Sequence, residues 1–113
     1  MTDGKPLLWL HGEVKTPPFS RAARVETGFL LRRLQSGDSI EMPISRPMPG
    51  IGANCHELRV QDGDVTWRLL YCIETDAIVI LEVFQKKSRT TPKRVIEVAT
   101  KRLRAYRRIT KEN

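Results

Sequence analysis

Apolar positions along the chain recur first as a short run, then at helical spacing, then in alternation, and last at helical spacing again. Leu7 to Leu10 is a continuous apolar run of strand length. Thr16-Pro17-Pro18 ends it and precedes a helix in which Ala22, Val25 and Phe29, with Leu30 and Leu34 beside them, recur at helical spacing. Arg21, Arg24, Glu26, Arg32 and Arg33 fall mostly on its other sides. Gly37 is placed to cap the C-terminus. Gly28 costs the helix about 1 kcal/mol relative to Ala, so it is expected to mark a close helix contact.

Residues 38–54 carry Pro43, Pro47, Pro49, Gly50 and Gly52, the composition of a connecting loop with at most a short extended piece. Three strand patterns follow at Cys55–Gln61, Val65–Glu74 and Ala77–Gln85. They are separated by the short turn signals Asp62-Gly63-Asp64 and Thr75-Asp76, which predicts an antiparallel meander. The last helix is expected over Thr91 to Arg108, with Thr91 as N-cap and Pro92 at the first helical position, where a missing N–H costs nothing. Val95, Ala99, Leu103 and Tyr106 share the face that should dock on the sheet. The order β-α-β-β-β-α describes a small α+β fold with a mostly antiparallel sheet packed by helices. With no repeat or low-complexity segment, residues 1–113 read as one domain.

Charge divides the chain unevenly. The net charge is +7, yet residues 86–113 alone carry a balance of +9 and residues 1–85 one of −2. Such asymmetry points to a polyanionic or acidic partner. Lys86, Lys87 and Arg89 lie in the turn before the last helix, beside its positive end, an arrangement that suits a phosphate. Cys55 and Cys72 are too few for a disulfide framework and lack zinc spacing, so they read as buried free thiols. His11 and His56 complete no metal set, and no cofactor is implied. No long apolar run suggests a signal peptide or a membrane span, so a cytoplasmic location is expected.

Alternation then places the candidate chemistry. On the middle strand Trp67, Leu69, Tyr71 and Ile73 point one way, and Arg68, Leu70 and Cys72 the other. Arg68 thus sits mid-strand among bulky neighbours, where a charge must be paired, partly solvated or waiting for an anion. On the preceding strand Glu57 and Arg59 share a face opposite His56, Leu58 and Val60. Residues alone leave two readings open: a plain cross-strand ion pair or an anion site.

The motifs H-E-L-R-V (56–60), W-R-L-L-Y (67–71), V-F-Q-K-K-S-R-T-T-P (83–92) and A-T-K-R-L-R-A-Y (99–106) resemble the RelE/HigB toxin superfamily, most nearly its phage-derived, host-killer-like branch. The resemblance spans most of residues 7–108 in the order of its elements. It implies a RelE-like fold and the toxin of a type II toxin–antitoxin pair. It further implies a ribosome-dependent mRNA endoribonuclease, or mRNA interferase, that is held inactive by a cognate antitoxin. The expected antitoxin is a helix-turn-helix protein from the adjacent gene, and mRNA and the ribosome are the other partners.

The implied reaction is metal-independent attack of the 2′-OH on the adjacent phosphorus, which requires alignment, proton transfer and charge stabilisation. The resemblance puts Arg68 at the phosphate-stabilising position, supported by Arg59. Lys86 and Lys87 would bind phosphate or polarise the leaving oxygen, and Arg89 would add to substrate binding. The chain departs from the family where relatives carry lysines and it has Cys55 and Glu57, and again where Gln85-Lys86-Lys87 replaces a terminal His or Tyr. Glu57 is then the candidate base, with Tyr71, Tyr106 and His56 as other acid, base or stacking candidates. A ParE-like gyrase inhibitor and a non-catalytic nucleic-acid-binding module remain as alternatives.

Overall fold

Residues 4–10, 19–85 and 90–111 are described by a computed structural model. Their elements are β1 (Leu7–Trp9), α1 (Arg21–Gln35), β2 (Ser45–Pro47), β3 (Cys55–Asp62), β4 (Val65–Ile73), β5 (Ile78–Gln85) and α2 (Lys93–Lys111). The strands form one sheet in the order β1-β5-β4-β3-β2, with β1 parallel to β5 and every other pair antiparallel. The expected α+β class and the β3–β4–β5 meander are present. The 38–54 connection contributes more than a loop, because Ser45–Pro47 adds the outer strand β2 beside β3.

Alternation along β3 and β4 sorts the core into two layers. Leu58, Val60, Leu69, Tyr71, Ile78 and Ile80 pack under α1 against Ala23, Leu30, Leu31 and Leu34. Cys55, Leu70, Cys72, Val79 and Leu81 face α2 and meet Val95, Ala99 and Leu103. The β3–β4 turn is two residues long, with Asp62 opposite Val65, and Gly63 takes φ +61° as the first central residue of such a turn.

The α1 stripe differs from the expected one. Ala23, Thr27, Leu30, Leu31 and Leu34 are buried, whereas Val25 and Phe29 are exposed. Thr27 belongs to the core because its hydroxyl donates to the Ala23 carbonyl at 2.8 Å, which removes the cost of burying it. Among the described residues Gly28 marks no close contact, since a Cβ there would meet nothing within 4 Å. Gly37 does end the helix. At φ +96° it closes a paired cap, with Gly37 N–H on Leu34 O and Asp38 N–H on Arg33 O.

At the other helix, α2 begins at Lys93, and Pro92 lies one residue before it, its carbonyl accepting from Ile96 N–H. Thr91 is drawn to a different partner than the helix end, as described below. One bulge completes the frame. Leu70 pairs with Glu82 and Tyr71 with Ile80, so Leu81 is the extra residue on β5. Its carbonyl is taken by Arg102 Nη1 at 2.7 Å, and the shift turns Glu82 and Phe84 onto the α2 face beside Arg68.

Candidate functional site

Three adjacent strands bring one carboxylate and three guanidinium groups together. Arg46 on β2 stands opposite Glu57 on β3, and Arg59, two residues further along the same face of β3, stands opposite Arg68 on β4. The Glu57 side chain is fully buried. Its Oε1 lies 3.3 Å from Arg46 Nε and 3.6 Å from Arg68 Nη1, and its Oε2 accepts the Thr91 hydroxyl at 2.7 Å. The expected ion pair therefore exists, but with a second arginine in it and a third in register beside it.

The charges do not balance. Among the described residues three guanidinium groups face the Glu57 carboxylate, the nearby Glu82 being paired with Arg102, and like charges directly opposite on a ladder, as Arg59 and Arg68 are, repel. Arg68 is 9% exposed, and its buried Nε has no hydrogen-bond partner. Arg46 Nε is likewise buried without one. Burial pushes the Arg68 pKa below its ordinary value; Glu57 pulls it back up, while Arg59 and Arg46 push it down further. Arginine remains protonated under such pressure. What would relieve the cluster is a second anion, and guanidinium forks match phosphate oxygens. Phe84, half-buried and in register with Arg68, puts an aromatic ring at the edge of the same patch.

Other candidates are placed elsewhere. Tyr71, proposed for substrate binding, is 1% exposed on the opposite face of the sheet. Its hydroxyl shares a 2.6 Å hydrogen bond with Ser45, and its ring stacks with His56 at 5.3 Å. Burial pushes the Tyr71 hydroxyl above and the His56 imidazole below their ordinary pKa values. Tyr106 donates to both carboxylate oxygens of Asp76 at 2.9 Å, at the end of the strands remote from Arg68. Burial, and then Asp76, push it up to about 12. The arrangement thus separates both tyrosines and His56 from Arg68. Glu57 stays with Arg68 but is enclosed, with Thr91 and two arginines on its oxygens.

Lys86, Lys87 and Arg89 lie outside the described residues. Their flanks are anchored at the site: Gln85 pairs with Trp67, the neighbour of Arg68, and Thr91 bonds Glu57. Arg46, Thr91 and Phe84 escaped the sequence reading. For Arg46 the only signal was an arginine inside a proline-rich loop, and for Thr91 a hydroxyl equally fit to cap α2.

Among the described residues no group of three His, Cys, Asp or Glu is placed to hold a metal ion. Nor is any described helix long and apolar enough to cross a membrane. No curated protein matches the chain. A family model does: that of the phage derived protein Gp49-like family (DUF891) matches residues 18–104, from just before α1 into the second half of α2. That span contains the whole arginine cluster, and on this match the chain belongs to the Gp49-like family of phage-derived proteins, within the RelE/HigB-like toxin superfamily.

Proposed function

We propose that this chain is the toxin of a type II toxin–antitoxin pair and acts as a ribosome-dependent mRNA endoribonuclease. The observation that carries the proposal is Arg68: a buried guanidinium with an unbonded Nε, beside two further arginines and the Glu57 carboxylate. In the reaction the 2′-oxygen bonds to phosphorus and the bond to the 5′-oxygen breaks. The proton lost from the 2′-hydroxyl is matched by one gained at the 5′-oxygen, leaving a 2′,3′-cyclic phosphate. Arg68 stabilises the charge that develops on the phosphorane oxygens, a task aimed donors perform best where water is excluded. Arg46 and Arg59, more exposed, hold the phosphate in line.

Glu57 moves from base to positioning residue in this reading, since its carboxylate aims Arg46 and Arg68 rather than meeting substrate. Lys86 and Lys87 are left to bind phosphate and to polarise the leaving oxygen. Phe84 is the stacking surface in place of Tyr71. The solvent face of α2 carries Lys93, Arg94, Lys101, Arg104 and Arg108. These form the basic surface on which an acidic element of the cognate antitoxin docks, excluding RNA.

Mapping mRNA 5′ ends after a short pulse of expression tests the reading. Wild type should give new ends within translated frames, and fragments should carry 2′,3′-cyclic or 3′-phosphate termini; Arg68→Ala should give neither. Growth arrest with intact mRNA and inhibited gyrase would replace the reading with the ParE-like one.

A further inference from the structure

At the other end of the α2-facing side, Cys55 and Cys72 stand directly opposite each other on β3 and β4. Ile73 N–H bonds Asn54 O at 3.0 Å, which makes this a non-hydrogen-bonded position of the ladder. Cα atoms at such positions are about 4.5 Å apart, within the span a disulfide bridges. Both thiols point at one carbonyl oxygen, Ala53 O, at 3.6 and 3.5 Å. Arg107 Nη2 lies 3.4 Å from Cys72 Sγ, and Glu74 Oε2 lies 3.3 Å from it.

We propose that Cys55 and Cys72 are a redox-modification site, at which a peroxide converts the two thiols into one intramolecular disulfide across the β3–β4 ladder. The Arg107 guanidinium, 3.4 Å from Cys72 Sγ, favours loss of a proton from the pair, and the thiolate so formed is the nucleophile. Its sulfur displaces water from hydrogen peroxide, the O–O bond breaking and a proton going to the leaving oxygen, to give a sulfenic acid. The sulfur of the other cysteine then attacks the oxidised sulfur and releases a second water. Two thiols and one peroxide become one disulfide and two waters.

Burial slows such thiols: Cys55 is 2% exposed and Cys72 fully buried. Half-buried Gly52 packs against Cys55 Sγ so closely that a Cβ there would stand 2.9 Å from Leu103 Cδ2, and the neighbouring Arg107 side chain is one-third exposed. Peroxide reaches the pair by local opening of this segment and the Arg107 side chain. The inference is independent of any ribonuclease activity, since none of these groups belongs to the arginine cluster.

The test uses the purified full chain, reduced and folded, exposed to a small excess of hydrogen peroxide and then denatured in an alkylating reagent. Expected are a mass loss of about 2 Da with no alkylated thiol, a peptide linking residues 55 and 72, and full reversal by dithiothreitol. At least one of Cys55→Ser and Cys72→Ser should stop at a sulfenic acid trapped by dimedone on the remaining cysteine, and Arg107→Gln should slow oxidation about tenfold. Two alkylated thiols after the peroxide is consumed, sulfinic acid without the linked peptide, or only intermolecular disulfides would each overturn the proposal. The wild-type mass decides even if a variant fails to fold.

Discussion

Of the Arg–Glu pairs on the α2-facing side of the sheet, two are built in opposite ways. At the Glu74 end, Arg107 Nε donates to Oε1 and Nη2 to Oε2, both at 3.0 Å, and Nη2 also reaches Ala53 O at 3.1 Å. One cation meets one anion in a bidentate fork, the geometry in which such a pair gains most. At the Glu57 end the contacts are 3.3 and 3.6 Å, two arginine Nε atoms are buried without hydrogen bonds, and positive charge is in excess. The first pair closes α2 onto the sheet and serves stability. The second withholds part of its bonding capacity, which is how a binding site differs from a structural contact.

The largest expected effect on the fold comes from removing the shared carboxylate. Glu57→Ala leaves buried Arg68, with half-buried Arg46 beside it, without the Glu57 counter-charge and should cost about 3–5 kcal/mol in urea unfolding. Arg68→Ala should cost clearly less, because Glu57 keeps Arg46 and Thr91. Equal losses would mean that Arg68 is a structural arginine and would break the comparison. Arg107→Gln comes next: with the guanidinium partly exposed, losing the fork should lower stability by about 1–2 kcal/mol.

The smallest effect is on acid stability. Arg107, and then Cys72, hold the Glu74 carboxyl below its ordinary value of 4.5, against the opposing pull of burial. A lowered folded-state value means stability that is full above the unfolded value, shrinks below it, and is gone once pH has fallen through the folded value. Wild type should therefore lose stability more steeply than Arg107→Gln as pH drops below 4.5. Parallel melting curves of the two proteins down to pH 3 would show instead that Glu74 gains nothing from its partner.

The meander was readable because its signals are local: period-two alternation in β3 to β5 and the glycine turn at Gly63 act within a few residues. The depth of Arg68 followed from the same parity. That parity also puts Tyr71 with Leu69 on the far face, which speaks against any contact with an Arg68-bound substrate. The α1 stripe was misread because a buried threonine bonded to its own helix looks polar in sequence, whereas Val25 and Phe29 look like core. β2 has three residues and takes its ladder from β3, so no pattern of its own announced Arg46. The bulge at Leu81, which turns Phe84 toward Arg68, arises from how the strands pair and leaves no local mark.

The central claim is that the arginine cluster, and not the closed pair, acts on a phosphodiester. The most direct measurement is single-turnover cleavage of mRNA on programmed ribosomes by wild type, Arg68→Ala and Arg107→Gln, each shown to be folded by circular dichroism. Loss of one charge-stabilising donor costs about 2.7–4 kcal/mol of barrier, so Arg68→Ala should be about a hundred- to a thousandfold slower. Arg107→Gln should cleave at the wild-type rate. A folded Arg68→Ala that cuts as fast as wild type, or a wild type that does not cut at all, would contradict the account.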